Sequence, residues 1–154
     1  LMIEVQSLVS PSVYGNPQRS STGFDAKRLN MLLAVLEKRG GYRFNQQDVF
    51  LNITGGLKIE DPAIDLAVCT SLVSSFDDKP VGQQVCFAAE VGLGGEIRAV
   101  NRIENRISEA NKLGFTKIYV SRYSTRGLQL KNLDIEVIAV SKFSDILEDL
   151  FLVS

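Results

Sequence analysis

Residues 59–68 read IEDPAIDLAV. Asp61 is a good helix N-cap, because its side-chain oxygen can accept from the free N–H groups of a first turn. Pro62 suits the first helical position, where a missing backbone donor costs nothing. From Ala63 to Phe76 the run is apolar on most sides, which predicts a central buried helix. The stretch has the form of an active-site turn feeding a helix, yet it holds no serine, cysteine or histidine to attack with.

Upstream of this turn, Met2–Val9 is rich in Ile and Val and reads as a strand. Residues 10–23 hold two prolines, two glycines and many hydroxyls, and read as one long loop. Asp25 is placed to cap a helix whose Leu29, Leu32, Leu33 and Leu36 recur at helical spacing, and Gly40-Gly41 ends it. Asp48–Thr54 alternates as a strand, with Val49, Leu51 and Ile53 on one side, before a turn at Gly55-Gly56.

Downstream, Val85–Val91 reads as a strand, Gly92–Gly95 as a tight hairpin turn and Glu96–Val100 as the return. A helix is expected from Arg102 to Leu113, with Ile103, Ile107, Ala110 and Leu113 inward and Gly114 as its stop. Lys117–Ser121 and Ile135–Val140 read as strands, and Phe143–Phe151 as an amphipathic helix. Residues 124–132 stay open between coil and a short helix. Strands and helices interleave in the manner of α/β proteins, and the class is α+β, one domain without repeats.

Composition narrows the chemistry. The chain has 154 residues, 45% of them hydrophobic, enough for a core without disulfides or metals. Cys69 and Cys86 lie in apolar runs and read as buried thiols of a reducing compartment. No apolar run approaches the length of a membrane span, and no signal peptide is seen. The chain opens directly on a strand, so a piece of a longer protein is expected. Histidine is absent, which removes Ser-His-Asp and Cys-His catalysis and most zinc sites. The net charge is −1, but residues 96–131 hold eight basic and three acidic groups, a local excess of +5.

The glycine-rich pieces GGLK (55–58) and GLGGE (92–96) match neither a Walker A loop nor a dinucleotide fingerprint. Asp61, Asp65, Glu90 and Glu96 are read as a cap, a first-turn acid and two sheet-edge acids, in preference to a divalent-ion site. A serine or threonine nucleophile with a lysine base needs no histidine, and it raises a comparison.

The chain resembles the C-terminal Lon-protease-like domain of the bacterial RadA (Sms) DNA repair proteins. The resemblance rests on VQSLVSPSVYGNPQRSSTGFD (5–25), LLAVLEKRGG (32–41), DVFLNITGGLKIEDPAIDLAV (48–68), EVGLGGEIRAVNRIENRISEANKLGF (90–115) and the closing segment 135–151. It implies a Lon proteolytic-domain-like fold of the ribosomal protein S-five domain-two-like superfamily, with mixed sheets packed against helices. In true Lon proteases the turn before the buried helix reads G-P-S-A-G, and its serine is the nucleophile. On that alignment Ala63 stands at the serine and Glu104 at or beside the partner lysine. Neither a methyl group nor a carboxylate can do that work, so the resemblance implies a scaffold without catalytic residues. Ser71, Ser74 and Ser75 read as ordinary helix residues.

The resemblance further implies a cytoplasmic, three-part parent with a zinc finger and a RecA-like ATPase. ATP, magnesium and zinc would belong to those other parts, with no cofactor or metal here. The parent is expected to form hexameric rings, to drive branch migration in recombination, and to meet a RecA-type recombinase. DNA would be held by its backbone, without regard to sequence. The residues singled out for that contact are Arg19, Lys27, Arg28, Arg98, Arg102 and Arg106, with Lys112 and Lys117 following. Arg98, Arg102 and Arg106 share a helix face if the helix starts one turn early; otherwise Arg102 and Arg106 share it. Surface ion pairing with Glu104 or Glu109 is the plainer account of these arginines. Two other functions stay open: an active Lon-like peptidase with rearranged residues, and a protein-interaction module that never touches DNA.

Overall fold

The computed structural model describes residues 2–55, 60–130 and 132–151. The fold is mixed, with sheets packed against helices, as the α+β reading expects. The chain divides into two compact units: residues 1–61 with 68–80, and residues 62–67 with 81–154.

The first unit is built on a three-stranded sheet. Strands β1 (Glu4–Pro11), β2 (Arg19–Thr22) and β3 (Gln47–Thr54) lie in the order β1-β3-β2, with β1 antiparallel and β2 parallel to β3. Val49, Leu51 and Ile53 are buried on the face the alternation assigns to them. Strand β2 corrects the reading of residues 10–23 as one loop. Its sequence RSST has no apolar alternation, and its ladder partner, β3, lies far along the chain.

Helix α1 (Ala26–Gly40) starts where Asp25 accepts from Arg28 N at 3.2 Å and ends where Gly41 turns left-handed at φ 77°. Leu29, Leu32, Leu33, Val35 and Leu36 are buried along one stripe. Phe44 is fully buried, its ring 5.2 Å from that of Phe76 in an edge-to-face contact. Ser71 and Ser75 bind β1: Ser71 Oγ meets Ser7 Oγ at 2.7 Å, and Ser75 Oγ accepts from Val9 N at 2.9 Å. Two helix hydroxyls thus satisfy groups at a strand that has a sheet neighbour on one side only.

The expected helix beginning at Pro62 is real but opens differently. Pro62–Ile64 form a 3-10 turn, and α2 (Asp65–Asp77) follows it. Residues of α2 up to Ala67 count with the second unit, and those from Val68 with the first. Leu66, Val68, Cys69, Leu72 and Val73 are all fully buried, as the all-round apolar pattern requires. Gly56 of the expected Gly55-Gly56 turn lies outside the described residues.

The second unit holds a parallel sheet in the order β4-β7-β8: β4 (Val85–Ala88), β7 (Lys117–Ser121) and β8 (Glu136–Val140). The central strand β7 buries Ile118, Tyr119, Val120 and Ser121 in succession, the pattern of a strand covered on both faces. Tyr119 stacks on Phe87 at 5.4 Å between centroids and donates its hydroxyl to Asp149. Burial first, then the Asp149 contact, raises the Tyr119 phenol above its ordinary range.

Strand β4 does not run to Val91. It stops at Ala88, because the backbone of Ala89 is taken by the Pro62 turn: Ala89 N donates to Ala63 O at 3.1 Å and Leu66 N donates to Ala89 O at 3.2 Å. Strands β5 (Glu90–Val91) and β6 (Ile97–Arg98) then form the expected hairpin, although the return stops short of Val100.

Helix α3 (Ile103–Lys112) buries Ile103, Ile107 and Ala110. Leu113 is exposed rather than inward, since it lies beyond the last helical residue and about 90° round from that stripe. Helix α4 (Phe143–Phe151) closes the described chain, with Phe143 and Ile146 buried. Between β7 and β8 there is no α-helix among the described residues, only a 3-10 turn at Arg122–Ser124.

Candidate functional site

Ala63 is buried in the middle of the 3-10 turn, and its carbonyl accepts the Ala89 N–H. Asp65, one residue into α2, is fully buried and accepts from Val91 N at 3.1 Å. The turn is thus pinned to the strand preceding the hairpin by backbone and carboxylate bonds. Glu104 stands exposed in the first turn of α3, where an acid suits the positive end of the helix.

The arginines expected to share a helix do not. Arg98 lies on β6, and Arg102 precedes α3 with a left-handed backbone at φ 55°. That conformation ends the helix, so the four-residue spacing cannot continue backward through it. Arg106 alone is within α3, and its guanidinium clamps the preceding turn: Nε donates to Asn101 O at 2.9 Å and Nη2 to Asn101 Oδ1 at 3.0 Å.

Arg98 has an ion pair, but with Glu96 rather than Glu104 or Glu109, at 3.0 Å. Glu96 also accepts from Gly94 N at 2.8 Å. Its carboxylate fills the hairpin so closely that a Cβ on Gly92 would meet it at 2.4 Å. Its own backbone N–H, then Arg98, then Gly94 N hold the Glu96 carboxyl below its usual range.

The remaining cations lie in the first unit. Arg19 is only partly exposed, and its guanidinium donates to three carbonyls: Gln18 at 3.2 Å, Phe44 at 2.6 Å and Gln47 at 2.5 Å. Lys27 is exposed and Arg28 half-buried in the first turn of α1. Cations at that end of a helix oppose its dipole.

One segment escaped the arginine spacing. Arg122, Tyr123 and Arg126 are exposed where the chain leaves β7, beside β6. Arg122 Cζ lies 5.6 Å from the Tyr123 ring centroid. Only the alternation of basic and aromatic residues in RYSTR could have drawn attention to them.

Among the described residues, no group of three or more Cys, Asp or Glu side chains is placed to hold a metal ion. Also among them, no helix is long and apolar enough to cross a membrane.

A family model described as subunit ChlI of Mg-chelatase matches residues 10–124. The chain is 50% identical over 151 residues to the DNA repair protein RadA of Streptococcus pneumoniae, covering 98% of this chain and 36% of that protein. It is 46% identical over 147 residues to RadA of Bacillus subtilis, covering 96% and 32%. It is 42% identical over 148 residues to RadA of Listeria monocytogenes, with the same coverage. The chain therefore spans about a third of the length of these relatives.

Proposed function

The chain belongs to the family described as subunit ChlI of Mg-chelatase and matches the C-terminal Lon-protease-like domain of RadA DNA repair proteins, and we propose that it is a non-catalytic assembly and DNA-contacting domain. The observation that carries the first half is Ala63. It is buried in the 3-10 turn that, on the resemblance to Lon proteases, would hold the serine, and a methyl group has no proton to lose and no lone pair to attack with. Glu104, which the same resemblance puts at or beside the partner lysine, is an exposed acid and not a desolvated amine.

The second half is supported by the basic segment and by the relatives' role in DNA repair. Arg98, Arg102 and Arg106 would meet phosphates from the second unit, and Lys27 and Arg28 from the first. Lys27 and Arg28 oppose the α1 dipole, a small local cost that fits a surface kept for an anion. Arg19 would hold the loop that precedes β2. In a six-membered ring each patch repeats, so a weakly acidic subunit can line a basic channel. Residues 1–154 would act as one Lon-like domain of a cytoplasmic parent, whose other parts bring ATP, magnesium and zinc, drive branch migration and meet a RecA-type recombinase.

Two assays test this reading. The natural chain should leave labelled casein intact. Hydrolysis that Ala63→Gly abolishes would overturn the non-catalytic half. In gel shifts the chain should retard DNA at low salt and lose it steeply as salt rises, because each neutralised phosphate releases counterions. No retardation at any salt would leave a protein-interaction module.

A further inference from the structure

The C-terminal ends of β7 and β8 carry the return strand of the hairpin. Ser121 Oγ donates to Ile97 O at 2.9 Å, and Ile97 N donates to Ser141 O at 2.9 Å. Arg98 follows Ile97, Lys142 follows Ser141, and the Arg122–Ser124 turn packs beside β6. One edge of the parallel sheet thus presents Arg98, Arg122 and Lys142, all exposed, with Arg126 further along the departing loop. Ligands of parallel sheets gather at this end of the strands.

Glu90 lies opposite Arg98 across the hairpin, and two further acids face the same edge. Glu96 is held by Arg98 and the hairpin, and Asp145 accepts from Ser141 N at 3.1 Å and Lys142 N at 3.3 Å. Neither reaches Arg122 or Arg126, which have no ion pair among the described residues.

Charge alone would suit any anion. Tyr123 narrows the choice. The residue is 68% exposed, with the Arg122 guanidinium over its ring. Hydrogen bonds fix the backbone of the turn that carries it: Tyr123 N donates to Ser121 Oγ at 3.1 Å, and Thr125 Oγ1 donates to Arg122 O at 2.8 Å. Ser124 Oγ is buried without a partner among the described residues, a local cost of the kind that calls for a functional explanation. A solvent-facing ring beside a guanidinium group, on a backbone fixed by the turn, offers a stacking surface to a flat ligand and counter-charges to its neighbours. Bases in a duplex already cover each other's faces, whereas unpaired bases do not.

We propose that this edge binds single-stranded DNA, with Tyr123 stacking on one unpaired base and Arg98, Arg122 and Lys142 pairing with the flanking phosphates. The proposal rests on the DNA-contacting reading above and specifies its ligand.

The test is fluorescence anisotropy with labelled oligothymidine and a blunt duplex of equal length. Tyr123→Ala should weaken oligothymidine binding roughly tenfold and leave duplex binding unchanged. Arg122→Ala should flatten the logarithmic salt slope for oligothymidine by about 0.7. The chain contains no tryptophan, so Tyr123→Trp creates a single indole reporter. That variant should keep affinity, and its fluorescence should be quenched by oligothymidine. Unfolding midpoints close to that of the natural chain show that the variants are folded. DNA binding that Tyr123→Ala leaves unchanged, or an indole that oligothymidine does not quench, would overturn the stacking site while sparing the broader reading. No binding of either DNA at any salt would overturn both.

Discussion

Ser121 joins two segments that the sequence keeps apart: its hydroxyl donates to the Ile97 carbonyl at 2.9 Å while accepting from Tyr123 N at 3.1 Å. A single buried oxygen therefore positions the turn bearing Arg122 and Tyr123 against the strand bearing Arg98. Ser121→Ala removes both bonds and leaves a buried carbonyl without this donor. The expected loss is about 1–3 kcal/mol of stability in urea denaturation. Oligothymidine affinity should fall as well, although Ser121 itself is buried away from any ligand. A stable, folded variant with full affinity would show that the turn does not depend on this tie.

Glu96 restrains the same edge. Glu96→Gln keeps an acceptor for Gly94 N and removes the charge that holds Arg98. Oligothymidine affinity should rise roughly twofold to fivefold at low salt, the range of an exposed ion pair, and the gain should vanish at high salt. The stability consequence has a definite sign. A carboxyl held below its usual range stabilises the fold above its unfolded pKa, and that contribution is lost as pH falls through the folded value. The natural chain should therefore lose more stability than Glu96→Gln on acidification from about pH 5 to about pH 3.

Where local chemistry decides an element, the sequence announces it. Asp25 and Gly41 bracket α1, the apolar run Ile118–Val120 marks β7, and the turn at Pro62 opens a helix apolar on most sides. Where a distant partner decides, it does not. Strand β2 exists because Arg19–Thr22 pair with Val49–Asn52, and nothing in RSST itself demands a strand. The candidate site was half legible for the same reason. The basic excess of residues 96–131 is visible in composition, but a left-handed Arg102 divides its arginines between a strand, a turn and a helix. The aromatic residue of this basic edge, Tyr123, comes from beyond α3 and β7, and the Ser121 bond ties its turn to β6.

Arg19 separates a fold-holding cation from a DNA-holding one. Its guanidinium spans the carbonyls of Gln18, Phe44 and Gln47, joining the start of β2 to the start of β3 and the segment before it. Arg19→Ala should cost about 2–3 kcal/mol, because bonds to a charged donor are lost and partly buried carbonyls are stranded. Arg19→Lys should recover only part of this, since an ammonium cannot reproduce the planar fork. Denaturant melts of the three proteins give the ranking. A stable Arg19→Ala chain with weakened DNA binding would return this residue to the interface.

Burial sets the response to alkali through Cys86. Its thiol is buried on β4, with Sγ 3.6 Å from Lys117 O, and burial pushes its pKa up to about 12. In the unfolded chain a thiol titrates near about 8.5. Below that value both states are protonated and the stabilisation is complete. Above it the unfolded chain releases a proton that the folded chain retains, so stability falls until pH passes the folded value. The raised phenol of Tyr119 adds to the same fall, because it too favours the protonated form. Cys86→Ala has no thiol to titrate. Its urea midpoint should start lower, for the small cavity, and then decline less steeply between about pH 9 and about pH 11. Equal slopes for the two chains would mean that the thiol is not shielded as its surroundings require. A thiol-reactive disulfide reagent gives an independent reading: Cys86 should resist it in the native chain near pH 8 and react once the chain is unfolded.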